Sequence, residues 1–258
     1  MVVFETIHGH RSIRSYRSDP VAESLLTEVL EAGVRASSSG NMQTFSVIVS
    51  RDPAMRERLY RPHMEQEMVR QAPLVLTFCA DFRRMRKWLR INDAPDNFDD
   101  FFAFLVAAVD AILVSQNVAL AAEAKGLGIC YMGSTLANAD QIGEILELPP
   151  GVFPVVGFVM GWPDEDPVPR DRLPLKGLVH VETYHDHSDD EIREIYRDRD
   201  KAGWDRYMSI PRLRTLVEEA GVENLAQIYT VVKYTREGHA RYSQNVLNYL
   251  RQQGFLET

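Results

Sequence analysis

Apolar residues fall into short dense runs separated by stretches with a helical period, and that rhythm sets the expected elements. Leu25, Leu26, Val29, Leu30 and Gly33 share one helical face behind Asp19-Pro20, an acid and a proline placed to open a helix. A helix is therefore predicted from Asp19 to about Ala36. Residues 44–50 and 74–79 are rich in β-branched and aromatic types and short enough to be buried strands. A long helix over residues 101–125 runs into Gly126-Leu127-Gly128 and a third strand at 129–132. Asn138, with Gln141 three residues on, reads as a capping box opening a helix that Pro149-Pro150 stops, and residues 152–160 form a fourth strand. Strands separated by helices, one of them very long and apolar, indicate an α/β or α+β sandwich.

Past Gly161-Trp162-Pro163 the pattern changes. Residues 163–174 carry repeated prolines and mixed charges and predict an irregular loop. From His185 onward the chain is strongly charged, with helical segments near 189–199 and 243–253. The expected organisation is a core over residues 1–185 and a charged C-terminal extension over 186–258. That extension is too thin in apolar residues to fold alone, so it packs on the core or on another subunit.

Composition narrows the function classes. A 258-residue chain with 45% hydrophobic and 26% charged residues is neither disordered nor fibrous nor a disulfide scaffold. Its net charge of −8 disfavours sequence-independent contact with nucleic acid phosphates. Cys79 and Cys130 sit in apolar runs, as free thiols of a reducing compartment do, and the first six residues lack a secretory pattern, so the expected location is the cytoplasm. Residues 101–122 are apolar enough to resemble a membrane span, but Asp110, Ser115, Gln116 and Asn117 fall inside them. A helix buried in a core or a subunit interface is the reading adopted, provided those polar groups find partners.

Motif searching removes several chemistries. GxxxxGK[ST] and GxSxG are absent, and Gly126-Leu127-Gly128 has Tyr131 where a dinucleotide fingerprint needs its third glycine. His180, Glu182, His185 and His187 are close in sequence, but exposed polar side chains account for them, and no metal is expected. The segment from His10 to Tyr16 places Arg11 and Arg14 beside Ser12 in an acidic protein, donors suited to a phosphate, though paired arginines also occur as a solvated face. Arg170 and Arg172 form a second pair beyond the last strand.

Taken together, His10-Arg11-Ser12-Ile13-Arg14, Ala36-Ser37-Ser38-Ser39 with Gln43, residues 78–82, Gln116-Asn117 with Ala121-Ala122-Glu123, Gly126-Leu127-Gly128, Tyr131-Met132-Gly133, Gly161-Trp162-Pro163 and Arg172-Leu173-Pro174 resemble the FMN-dependent nitroreductase family. Within it, the branch is that of NADPH-dependent oxygen-insensitive nitroreductases and flavin reductases. The resemblance covers residues 5–185 well and the tail loosely. It implies an α+β three-layer sandwich with a mostly antiparallel sheet, a long interface helix, and a homodimer with FMN sites at the subunit interface. It implies ping-pong hydride transfer from NADPH (or NADH) to FMN and on to a nitroaromatic, quinone or flavin acceptor, with the chemistry on FMN N5 and no catalytic side chain. A flavin-binding module without turnover and a flavin-dependent dehalogenase are the alternatives on the same fold.

Carried over by position, the resemblance assigns Arg11 and Ser12 with Arg172 to the FMN phosphate, Arg14 to the N1/O2 edge and Gln66 to the pyrimidine edge, and counts His10 and Arg170 among the cofactor-binding residues. Ser38 and Ser39 line the site, and Tyr131, Met132, Gly133 and Ser134 lie along one flavin face. Arg170 stands where the branch carries lysine, and Ser134 where it carries a second glycine. Arg199 is the nearest match to an arginine that holds the 2′-phosphate of NADPH, with Arg197, Lys201 and Arg206 close by.

Overall fold

The structure is a computed structural model, and it describes residues 3–256; Met1 and Val2, the start of the segment read for a secretory pattern, lie outside them. The described chain forms two compact units. The first holds residues up to Pro169 together with the stretch from Tyr242 onward, and the second is Arg170–Arg241. The division thus falls before residue 185, and the C-terminal helix belongs largely to the first unit.

In the first unit, helices α1 (Val3–His8) and α2 (Glu23–Gly33) precede strand β1 (Phe45–Ser50). Helices α3 (Pro53–Tyr60) and α4 (Met68–Gln71), strand β2 (Leu74–Asp81), and helices α5 (Arg83–Ile91) and α6 (Phe101–Ala124) follow. Then come β3 (Gly128–Tyr131), α7 (Ser134–Ala137), α8 (Ala139–Ile145) and β4 (Val152–Gly161). The four strands form one sheet in the order β1-β2-β4-β3, every pair antiparallel.

Alternation along the strands explains the layers. Leu74, Leu76, Phe78 and Ala80 of β2, with Phe158 and Met160 of β4, meet Val114 and Val118 of α6 and Leu26 and Val29 of α2. Val75 and Val159 point the other way, toward Leu59 of α3, Met68 and Val69 of α4 and Ile142 of α8. Both faces are covered, so β2 is buried at all eight positions and reads as a continuous apolar run. Close packing of α2 on α6 uses Gly33, where an added Cβ would lie 2.1 Å from Val118 Cγ2.

Helix α6 is 24 residues long and apolar enough to cross a membrane by length and composition. Its buried Asp110 is fully partnered inside the unit, and Asp100 caps its start by accepting from the Ala103 N–H at 2.8 Å. This is core-helix chemistry. One stripe stays exposed, running through Phe102, Leu105, Val109, Ile112 and Leu113.

In this unit a helix start and a helix cap differ from the sequence reading. The helix expected from Asp19 begins at Glu23 and ends at Gly33, because Arg17 N–H donates to Trp162 O at 2.9 Å and the Trp162 indole donates to Pro20 O at 3.4 Å, holding residues 17–20 against the end of β4. Asn138 does not cap α8 with its side chain; its amide donates instead to Pro62 O at 2.6 Å. Gln141 therefore completes no capping box.

In the second unit, α9 (Asp189–Ser209), α10 (Pro211–Ala220), α11 (Leu225–Gln227) and a π-helical turn (Ile228–Lys233) surround a small core of Tyr207, Val217, Val222, Leu225 and Ile228. Helix α12 (Arg236–Gln252) begins seven residues before the sequence reading placed it. The charged segment is richer in structure than its composition implied, because its few apolar residues recur at helical spacing and converge.

Candidate functional site

Strand β3 organises the residues picked out from the sequence. Ser12 forms a parallel bridge with Ile129, and Ile13 N–H donates to Ile129 O at 2.9 Å, so the Arg11–Arg14 segment lies along β3. Gly128 is required here, since a Cβ would sit 2.6 Å from Ile13 Cγ1. Tyr16, buried behind the segment, donates its hydroxyl to Ile13 O at 2.6 Å, and burial pushes its phenol far above the ordinary range.

The cations are only lightly held. His10 Nδ1 lies 2.6 Å from Glu123 Oε1, and the Arg11 guanidinium pairs with Asp166 at 2.6 Å, an acid whose side chain is 82% exposed. Backbone N–H groups of Arg14 and Ser15 both donate to Glu165, the second at 3.1 Å, while the exposed Arg14 side chain donates to Ser12 O at 3.3 Å. A cleft of about 430 Å³ opens beside Arg11, Gly128, Glu123, Glu165 and Asp166. Its charged lining is four acids, Glu5, Glu123, Glu165 and Asp166, against Arg11, so a phosphate at Arg11 would replace Asp166 rather than enter an empty cationic hole.

Beyond β3 the chain turns through Met132 and Gly133 into α7. Met132 is buried, its N–H donating to Gly157 O at 2.9 Å. Gly133 is exposed, and among the described residues no heavy atom lies within 4 Å of the position a Cβ would take. Ser134 faces inward, 4% exposed, with its Oγ 2.9 Å from His63 Nδ1. The Ser134 hydroxyl thus braces the turn from within. His63 in turn accepts at its carbonyl from the Gln66 amide at 2.8 Å, which links Gln66 to the same turn.

His63 is a residue that sequence reading passed over. It is fully buried, its Nε2 has no partner, and burial pulls its pKa down to about 4. Met64 and Glu65, just before Gln66, both adopt positive φ, as do Asn41 and Gln43 in the serine turn. Left-handed non-glycine residues are uncommon, and these four lie in two loops that present candidate site residues, with Asp93, Glu147 and Glu182 adopting the same region elsewhere.

Ser38 and Ser39 are tied to α6 by Asp110, the second residue whose role was not foreseen. Its carboxylate accepts from Ser38 Oγ at 2.7 Å, Ser39 N–H at 3.0 Å, and Thr44 N–H and Oγ at 3.1 Å each. Ser38 Oγ also accepts from the Gln43 N–H at 2.7 Å. Tyr131 reaches the same helix, its hydroxyl 3.0 Å from Ser115 Oγ and its phenol pushed up to about 12 by burial. Asp110 and Ser115 are five residues apart, about 7.5 Å along the helix axis. The serine turn and the end of β3 are therefore fixed to one rigid element.

The remaining candidates lie in the second unit. Arg172 donates to Arg170 O at 3.1 Å and Asp171 O at 3.0 Å. Arg199 donates to Asp171 at 3.2 Å and to the Tyr229 hydroxyl at 2.9 Å.

Residues 7–162 match the family model described as the Nitroreductase family. The chain belongs to the nitroreductase family. Among relatives of this nitroreductase-family chain, an NADPH-dependent oxidoreductase of Staphylococcus saprophyticus is 33% identical over 211 residues, 80% of this chain and 83% of the relative. An FMN reductase [NAD(P)H] of Bacillus subtilis is 37% identical over 186 residues, 70% of this chain and 74% of the relative. Among solved structures, an NADPH:FMN oxidoreductase from Vibrio harveyi complexed with NAD+ has a TM-score of 0.77 at 29% identity, with 99% of each chain covered. The nitroreductase fold accounts for the antiparallel sheet flanked by helices, and the α+β expectation holds.

Proposed function

We propose that this chain is an FMN-dependent NAD(P)H oxidoreductase working by a ping-pong cycle, with a nitroaromatic, quinone or flavin as acceptor. The observation that carries the reading is the seating of the Arg11–Arg14 segment along β3, whose end runs directly into the open surface at Gly133. The residues fit the cofactor. Arg11 exchanges a weak surface pair with Asp166 for a phosphate at little cost, and Ser12 adds a neutral donor. Gly133 leaves room for a flat ring to approach the backbone.

In this reading Arg14 faces the electron-rich edge of the ring and Gln66 its pyrimidine side, while the Tyr131–Ser134 turn flanks one face. Ser38 and Ser39 line the site as a turn held in place, since the Ser38 hydroxyl and the Ser39 N–H are both committed to Asp110. When bound, FMN supplies two-electron chemistry at N5, and the protein contributes binding, orientation and electrostatics. Names of the relatives, FMN reductase and NADPH-dependent oxidoreductase, support both the cofactor and the reductant. The unpartnered stripe on α6 supports a homodimer through that helix, and the two buried free thiols support a cytoplasmic setting.

The test is an absorbance spectrum of the purified protein before and after anaerobic NADPH. A flavin spectrum that bleaches is expected. Flavin that stays oxidised with NADPH and NADH refutes the oxidoreductase reading in favour of a binding module, and no flavin after incubation with FMN refutes the cofactor. Arg11→Glu, which sets a carboxylate against the phosphate, should purify without flavin; stoichiometric retention would sink the phosphate assignment.

A further inference from the structure

The second unit holds a side-chain cluster that the proposed activity does not use. His185 and His187 are two residues apart in an irregular stretch just before α9, and their rings meet with centroids 4.9 Å apart. Glu191 reaches back to meet them. It is the third residue of α9, and its Oε2 accepts from the Ser188 N–H and hydroxyl at 2.8 Å each in a capping box. These bonds hold the Glu191 carboxyl well below the usual carboxylate range, so it is a fixed anion at neutral pH.

Geometry then brings three ligand types together. Glu191 Oε1 lies 3.3 Å from His185 Nε2, and one ligand atom from each of His185, His187 and Glu191 falls within 4.8 Å of the others. A tetrahedral ion with bonds near 2.0–2.1 Å requires ligand atoms about 3.4 Å apart. One edge already meets that distance, and the edges to His187 lie within 4.8 Å. His180 braces the group: its Nδ1 accepts from the His185 N–H at 3.1 Å, and its ring stacks on Tyr184 with centroids 4.5 Å apart.

A second observation points to a missing partner. Both ring nitrogens of His187 are shielded from solvent and neither has a hydrogen-bond partner among the described residues. Buried ring nitrogens left unpaired are costly, and neither capping of α9 nor ring packing requires them. A metal at one nitrogen would satisfy that group and bridge His185 and Glu191.

We propose that His185, His187 and Glu191 form a binding site for a borderline divalent transition-metal ion, zinc being the reference case, with the fourth position left to water. Two imidazoles and one carboxylate are the donor set such ions prefer. Bound there, the ion ties the segment before α9 to the first turn of that helix.

The experiment uses the full chain with its flavin, stripped with a chelator and titrated with zinc alone against a chromogenic competitor. One zinc per chain is expected. His187→Ala and Glu191→Gln should each weaken binding by at least the roughly 10–100-fold that loss of an outer-shell partner costs. Glu191→Gln keeps a capping-box acceptor at that position, so its effect is separable from unfolding of α9, and NADPH turnover should be unchanged in both variants. Equal zinc affinity in wild type and both variants would overturn the site, as would a sulfur shell in the zinc X-ray absorption spectrum of the loaded protein.

Discussion

Asp110 offers the sharpest test of how the serine turn is held. Asp110→Ala removes an acceptor that takes four hydrogen bonds inside a fully buried environment. The Ser38 and Thr44 hydroxyls can rotate toward other acceptors, whereas the Ser39 and Thr44 N–H groups are fixed by the backbone. Each stranded N–H costs about 1–3 kcal/mol. Relief of the buried charge offsets part of this, leaving an expected loss of about 2–5 kcal/mol. With a urea slope near 2 kcal/mol/M, the midpoint should fall by about 1–2.5 M. Equilibrium urea unfolding, followed by tryptophan fluorescence at fixed protein concentration, measures it. Flavin affinity should fall in parallel, because Ser38 and Ser39 lose their anchor to α6. A midpoint within about 0.5 M of wild type, corresponding to roughly 1 kcal/mol, would refute the claim that Asp110 organises the turn.

Three further outcomes follow from particular contacts. Burial lowers the His63 pKa to about 4 from 6.5, so the unfolded chain binds the extra proton between these values; stability should rise with pH from about 4 to 6.5 and be lost as pH falls, and His63→Gln should flatten that slope in pH-dependent unfolding by up to about 3 kcal/mol. Gly143→Ala sets a Cβ 1.8 Å from Tyr249 Oη, and thermal unfolding should show a loss of about 1–3 kcal/mol; an unchanged melting temperature would contradict that packing. Arg199→Ala should raise KM for NADPH about tenfold or more and leave KM for NADH nearly unchanged, as loss of a charge-assisted bond to the 2′-phosphate requires; equal shifts in the two constants would remove the residue from nucleotide recognition.

Much of the fold was readable because burial leaves a linear signature. Strands β2 and β4 are covered on both faces and therefore appear as mainly apolar runs, and α6 appears as a long apolar helix with one carboxylate, Asp110, in its middle. That carboxylate was itself a signal, since an acid in such a run must find partners. Local rules failed where a distant partner competed for the same group. Asn138 had the spacing of a cap, yet Pro62 O takes its amide, and Asp19-Pro20 had the form of a helix start, yet Trp162 holds that stretch extended. The tail looked too thin in apolar residues for a core of its own because that core is built from few residues spaced along separate helices.

By itself, the sequence determined the four strands, the helices α2, α6, α8, α9 and α12, that the long helix belongs inside a protein, and the family resemblance carried by spaced motifs from His10 to Pro174; it did not mark α1, α3, α4, α5, α7, α10 or α11. Periodicity and residue chemistry are local properties, and they survive in one dimension. Only the tertiary structure decided that Asp110 anchors the serine turn, that Ser134 faces His63 instead of open surface, and that Glu191 turns back toward His185 and His187. Each depends on where a side chain points after 4 to 72 residues of intervening fold, and that direction is set by packing.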